Sequence, residues 1–278
     1  MIAGLLGLWA VFRDYRADQA LKVSKLQEKA AETQVTIIEG WTTNDIANKL
    51  DDAGMFSSEK FLDAVEDFDY TNYPLVVKPK GTGLEGYLFP DTYRFAKNST
   101  PNQVIEKMLE NFTKRMSAIG VTINQTKFTI PGYENLQPIG GDNQAGMSLY
   151  DILTLASIIE VESGNSSNMS LAEERALVAG VFYNRLEIGQ ALESDATVNY
   201  VTGKNDPGVS LNDTKVNSPY NTYKYAGLTP GPIGNPSLGS IEAALRPTKS
   251  DFYYFLHKQP SGEAVFSKTF AEHIRQKD

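Results

Sequence analysis

Cysteine is absent from this 278-residue chain, and histidine occurs only twice, at His257 and His273. Thiolate nucleophiles, disulfides and cysteine-based zinc sites are thereby removed, and no His-x-x-x-His pair forms a zinc-protease helix. Acid–base chemistry must fall mainly to carboxylates, tyrosines or lysines. The carboxylate that stands out is Glu160, in LASIIEVES at 155–163. At about 100° per residue, Leu149, Leu153, Ala156 and Glu160 fall within roughly 40° of one stripe, so the acid projects from a core-facing surface. Ile152 and Ile159 flank that stripe and mark the helix as central. A carboxylate there is costly to ionise unless paired, and burial favours its protonated form, as a general acid near neutral pH requires. The other reading is a structural glutamate ion-paired with Arg175 or Arg185. Glu162 lies about 200° away, so one straight helix cannot aim both carboxylates at one atom, and it reads as a supporting group.

Other groups could bind or shape. Asp195 and Thr197 stand in SDATV after a helix, where simple turn capping explains them equally well. Tyr220, Asn221, Thr222 and Tyr223 offer hydroxyls and an amide suited to a sugar, although ordinary loops carry such clusters too. Glu85 and Asp91 flank Tyr87, Phe89 and Tyr93, and aromatic faces beside carboxylates are common in saccharide clefts. No phosphate-binding loop, dinucleotide fingerprint or Gly-x-Ser-x-Gly elbow is present. No metal or organic cofactor is called for. A net charge of -8 argues against a nucleic-acid partner.

The elements that must position these groups read as an α+β chain. Val35–Ile38 is a β-branched strand. Thr43 offers an N-cap to a helix over 44–53, and Ser57 or Ser58 to a second with Phe61, Leu62 and Val65 on one face. Leu75–Val77 reads as the closing strand of a compact strand–helix–helix–strand module. Residues 81–95 suit a structured loop and short strand, 101–120 an amphipathic helix, and 121–146 an exposed connection. Ser148 with Asp151, and Ser170 with Glu173, form capping boxes for helices over 149–163 and 171–188. The remainder, 190–278, reads as short strands and turns with a helix near 238–245. Within it, a strand pair over 252–257 and 264–266 spans a Pro260-Ser261-Gly262 turn.

The chain opens on MIAGLLGLWAVF, uncharged over residues 1–12. As a helix it rises about 18 Å, short of the bilayer core, and reads as the outer remnant of a membrane anchor. The polar residues 13–34 suit a helical stalk.

Taken in order, VTIIEGWTTNDIANKL (35–50), EGYLFPDTYRF (85–95), LASIIEVES (155–163), VFYNRLEIGQALESDATVNY (181–200), YNTYKYAGLTPGPIGNP (220–236) and RPTKSDFYYF (246–255) resemble the endolytic murein transglycosylase family, MltG or YceG-like. The resemblance implies that the first Glu of the Glu160-Val161-Glu162 motif is catalytic. It also implies that the module at 35–78 is LysM-like, with a catalytic domain at 79–278. A single N-terminal membrane anchor would place that domain outside the cell membrane. Peptidoglycan glycan strands are the implied substrate, with peptidoglycan synthases as possible partners. The implied reaction cuts the β-1,4 bond between N-acetylmuramic acid and N-acetylglucosamine without water, leaving 1,6-anhydro ends. Glu162, Tyr220, Asn221, Thr222, Tyr223 and Glu85 would line the cleft, and Asp195 and Thr197 would shape it. One departure is that family members carry a further LysM-like module where this chain has only the stalk. A water-using muramidase and a non-catalytic glycan-binding scaffold stay open.

Overall fold

The computed structural model describes residues 15–16, 18–19, 21–22, 32–125, 127–134, 136, 146–164, 166–204 and 208–277. The expected anchor at 1–12 and most of the stalk lie outside them. Among the described residues, no helix is long and apolar enough to cross a membrane.

Strand β1 (Glu32–Thr36) pairs antiparallel with β2 (Thr92–Ala96), with Val35 opposite Tyr93. Two helices lie between them, α1 (Thr43–Asp52) and α2 (Ser58–Asp67). Thr42 and Asp45 close a capping box on α1, one residue before the expected cap, and Ser57 caps α2. Ile46, Ala47 and Leu50 of α1 and Phe61 and Val65 of α2 are buried, so the two amphipathic faces seal one small core. Two expectations are corrected here. The polar run taken as stalk ends in a strand, because Glu32, Thr33 and Gln34 pair with Ala96, Phe95 and Arg94. The closing strand is β2, not Leu75–Val77. That segment satisfies its backbone locally through Val76 N–H to Tyr73 O and Val77 N–H to Leu75 O, both turn-like bonds, and so offers no ladder edge.

Helix α3 (Pro101–Ala118) buries Val104, Ile105, Met108, Leu109 and Phe112 as its spacing demands. The described residues between 121 and 136 are less exposed than expected. Phe128, Ile130 and Tyr133 are buried, and the Tyr133 hydroxyl donates to Gly180 O at 2.8 Å, strapping this segment to the core.

The centre is α4 (Leu149–Glu162), opened by the Ser148–Asp151 capping box and buried at every position from Leu149 to Ile159. It packs against α5 (Leu171–Glu187) and against α7 (Leu238–Leu245). Helix α6 (Asp195–Thr202) falls in the stretch read as short strands and turns. Its β-branched Thr197, Val198 and Val201 are weak helix formers, and tertiary packing of buried Ala196, Thr197 and Val198 decides the outcome. Strands β3 (Tyr254–His257) and β4 (Ala264–Ser267) pair as read, followed by an unexpected α8 (Phe270–Gln276) with its own Thr269–Glu272 capping box.

Candidate active site

Glu160 lies in the last turn of α4, with its side chain 7% exposed. Its carboxylate leaves the apolar stripe that carries it and meets three donors. Arg175 Nη2, from α5, donates to Oε1 at 2.7 Å. Ser237 donates to Oε2 through its backbone N–H at 2.9 Å and through Oγ at 2.5 Å. Ser237 is also the N-cap of α7, so the acid sits at the amino end of that helix, where free amides suit a carboxylate. The purely oily setting expected for Glu160 is therefore corrected: the arginine pairing also occurs, and Arg175 makes it. Arg185 turns elsewhere, donating to Tyr253 O at 2.7 Å and to Leu192 O at 2.6 Å.

The ion pair does not close the site. Glu160 and Val161 form part of the floor of a cleft of about 930 Å³, within the usual size of a ligand site. One wall is α6 with the residues after it, presenting Asn199, Tyr200 and Lys204. The opposite wall is the β1–α1 loop with the start of α1, presenting Glu39, Trp41, Asn44 and Asp45. The small N-terminal unit therefore lines the cleft together with the helical core.

The seam between those parts is held by Asn235. Its amide Nδ2 donates to Trp41 O at 3.0 Å and to Glu85 Oε1 at 2.9 Å, and its Oδ1 accepts from Leu88 N–H at 2.9 Å. Backbone bonds from Gly40 N–H to Asn235 O and from Asn235 N–H to Trp41 O, both 2.8 Å, complete it. A Cβ on Gly234 would lie 2.4 Å from Gly40 O, so only glycine allows this approach. Gly40 itself adopts φ +79°, turning the chain directly over Glu160 Cγ.

Of the residues expected to form the site, Glu160 alone is among those lining the cleft. Glu162 points away, as its angular offset required, and accepts from Ser194 Oγ at 2.5 Å, tying the end of α4 to the start of α6. Burial pushes its carboxyl above the ordinary value, with the Ser194 bond opposing. Glu85 accepts from Thr43 N–H at 3.0 Å and from Asn235, at the amino end of α1. Desolvation pushes its carboxyl up to about 7. Asn221 is buried, its Nδ2 donating to Thr214 O and Val216 O, and Thr222 and Thr197 share a hydroxyl contact of 2.8 Å. Tyr223 donates to Asp195 Oδ1 at 2.6 Å. Tyr220 stands behind Tyr200, with ring centroids 5.1 Å apart. Sequence reasoning missed Glu39, Trp41, Tyr200 and Ser237. The stretch holding Glu39 and Trp41 reads locally as a strand and helix start, and nothing in that pattern assigns it to a cleft formed with residues far along the chain. Among the described residues no cluster of His, Asp and Glu is arranged to hold a metal ion.

Against known proteins, a model of the YceG-like family matches residues 7–278. The chain is 36% identical to the endolytic murein transglycosylase of Bacillus subtilis (strain 168) over 256 residues, covering 88% of this chain and 64% of that protein. It is 34% identical to the endolytic murein transglycosylase of Streptococcus pneumoniae (serotype 2 strain D39) over 263 residues, covering 87% of this chain and 43% of that one. The chain thus spans less than two thirds of these relatives' length. A crystal structure of a yceG-like protein from Listeria monocytogenes superposes with a TM-score of 0.69 at 32% identity, covering 94% of this chain and 81% of that one.

Proposed function

This chain belongs to the YceG-like family, and from that premise we propose that it is an endolytic lytic transglycosylase of peptidoglycan with Glu160 as its catalytic acid. The observation that carries the reading is a carboxylate held by Arg175 and Ser237 at the floor of an open cleft. The substrate is the bond between N-acetylmuramic acid and N-acetylglucosamine.

Glu160 gives its proton to the bridging oxygen as the bond from C1 breaks, and the glucosamine side departs as an alcohol. The resulting carboxylate takes the proton of the muramyl 6-hydroxyl, whose oxygen bonds to C1 and closes a 1,6-anhydro ring. The proton count is restored and no water enters. Because the nucleophile belongs to the substrate, one carboxyl can serve both steps, whereas common glycosidases use two. Arg175 and the Ser237 donors are placed to stabilise the charge present between those steps.

The region 35–78 is read as a LysM-like glycan-binding module whose sheet is completed by β2 (Thr92–Ala96) from beyond it, and 79–278 as the catalytic domain. Glu85, Glu162, Asp195, Thr197 and the Tyr220–Tyr223 loop then act mainly by bracing the cleft walls. Cleavage would end nascent strands on the outer side of the cell membrane, with residues 1–12 as an anchor and peptidoglycan synthases as partners.

The test is product analysis on purified glycan strands. The expected result is anhydro-ended fragments from the unaltered chain and none from Glu160→Gln with an unchanged circular dichroism spectrum. Fragments heavier by one water would mean a muramidase, and binding without any cleavage would mean a scaffold. Either outcome overturns the reading.

A further inference from the structure

We propose that Glu39, on the loop between β1 and α1, is a positioning residue that shares Arg175 with Glu160 and draws the guanidinium aside when Glu160 takes up its proton. This rests on the transglycosylase reading and adds to it a carboxylate contributed by the N-terminal unit. Arg175 Nη2 lies 2.7 Å from Glu160 Oε1 and 3.9 Å from Glu39 Oε2, so one nitrogen serves two acids on two parts of the fold. Glu160 is nearly enclosed, whereas the Glu39 side chain is 58% exposed in the same cleft.

The reaction gives Glu160 two charge states. As the carboxylate it is well served by Arg175; as the acid it leaves that cation without its nearest counter-charge. Glu39 is then the negative partner facing the same nitrogen. Arg175 is otherwise held by packing: its Nε is buried with no hydrogen-bond partner among the described residues. A Cβ on Gly239 would lie 2.6 Å from its Nη1, so the glycine leaves room for the guanidinium. A glycan seated in the cleft would strip water from Glu39 and strengthen its pull on Arg175. Partial burial, and then the charge of Glu160, already hold the Glu39 carboxyl above its ordinary value, with Arg175 opposing. The other titratable groups facing the cleft are Asp45 on α1 and Tyr200 and Lys204 at α6.

The experiment measures kcat and KM for release of anhydro ends across pH, using the full chain, Glu39→Gln, Glu39→Asp and Glu160→Gln. Glu39→Gln takes away the negative charge that faces the Arg175–Glu160 pair. The alkaline limb of kcat/KM for Glu39→Gln is therefore expected to move down by about one pH unit, with kcat falling about tenfold. KM should stay within about twofold if ground-state binding is untouched, and Glu39→Asp should recover part of the loss. An unshifted pH profile, or a rise in KM alone, overturns the inference, since a mere lining group would give that. Should Glu39→Gln melt early, the Glu39→Asp profile decides on the same terms. If the unaltered chain makes anhydro ends and Glu160→Gln does not, failure at Glu39 falls on this inference alone; if the unaltered chain makes none, the function itself fails.

Discussion

Glu160 and Glu85 are two shielded carboxyls, each at the amino end of a helix, and they differ in what lies beside them. Glu160 has Arg175 as a cation, Ser237 as a cap and an open cleft. Glu85 receives bonds from Thr43 and Asn235, makes no ion pair among the described residues, and its carboxyl rises to about 7. A raised value of that kind is often taken as a mark of catalysis. Here it belongs to the carboxyl that fastens the seam, while the acid on the cleft floor is marked by geometry. Under the proposed reading, desolvation alone does not single out the working group; access to a ligand-sized space does.

The comparison breaks most visibly through activity. Glu160→Gln should lower glycan cleavage by about 10²–10⁴-fold, the usual worth of a general acid, while Glu85→Gln should stay within about threefold. Equal losses from both, in a product-release assay, would erase the distinction. Next comes Arg175→Met, which leaves the Glu160 carboxylate buried beside Ser237 alone. A stability loss of about 3–5 kcal/mol in a urea titration is expected, as for breaking one side of a buried pair. Asn235→Ala removes both amide bonds and the acceptor for Leu88 N–H. It should cost about 2–3 kcal/mol by the same measurement, and should raise KM if the seam shapes the cleft wall.

The smallest effect sharpens the contrast through pH. Because the folded-state value of Glu85 lies above its ordinary 4.5, the protonated form favours folding. Its contribution is complete below pH 4.5 and fades as pH rises through about 7. Stability should fall over that window with a slope of at most about 1.4 kcal/mol per pH unit from this group. Thermal unfolding of Glu85→Gln should lack that component. An identical pH dependence in both proteins would remove Glu85 from the account.

How legible each part was depends on the range of the forces involved. Helices α4 and α5 and the β3–β4 pair follow signals a few residues apart: a serine, an acid three places on, a turn proline and glycine. Helix α6 escaped because its residues favour strand locally and only burial makes them helical. The closing strand was misplaced because two strand-prone segments, apolar 75–77 and alternating 92–96, both suit an edge, and pairing with β1 chooses between them. Glu160 was visible as an acid in phase with core residues. Its partners were less so: Arg175 was one of two arginines in reach, and Ser237 and Glu39 come from opposite ends of the chain.

By itself, the order of residues determined that a largely apolar helix ends in Glu160-Val161-Glu162, that the two acids face apart, and that neither thiol nor zinc-protease chemistry is available. Tertiary structure alone decided that the first acid meets Arg175 and Ser237 in a cleft half made by the N-terminal unit, and that Glu85 serves the seam. The physical reason is that periodicity is set by bonds between near neighbours. Charge pairing and access to solvent depend on which distant surfaces are pressed together.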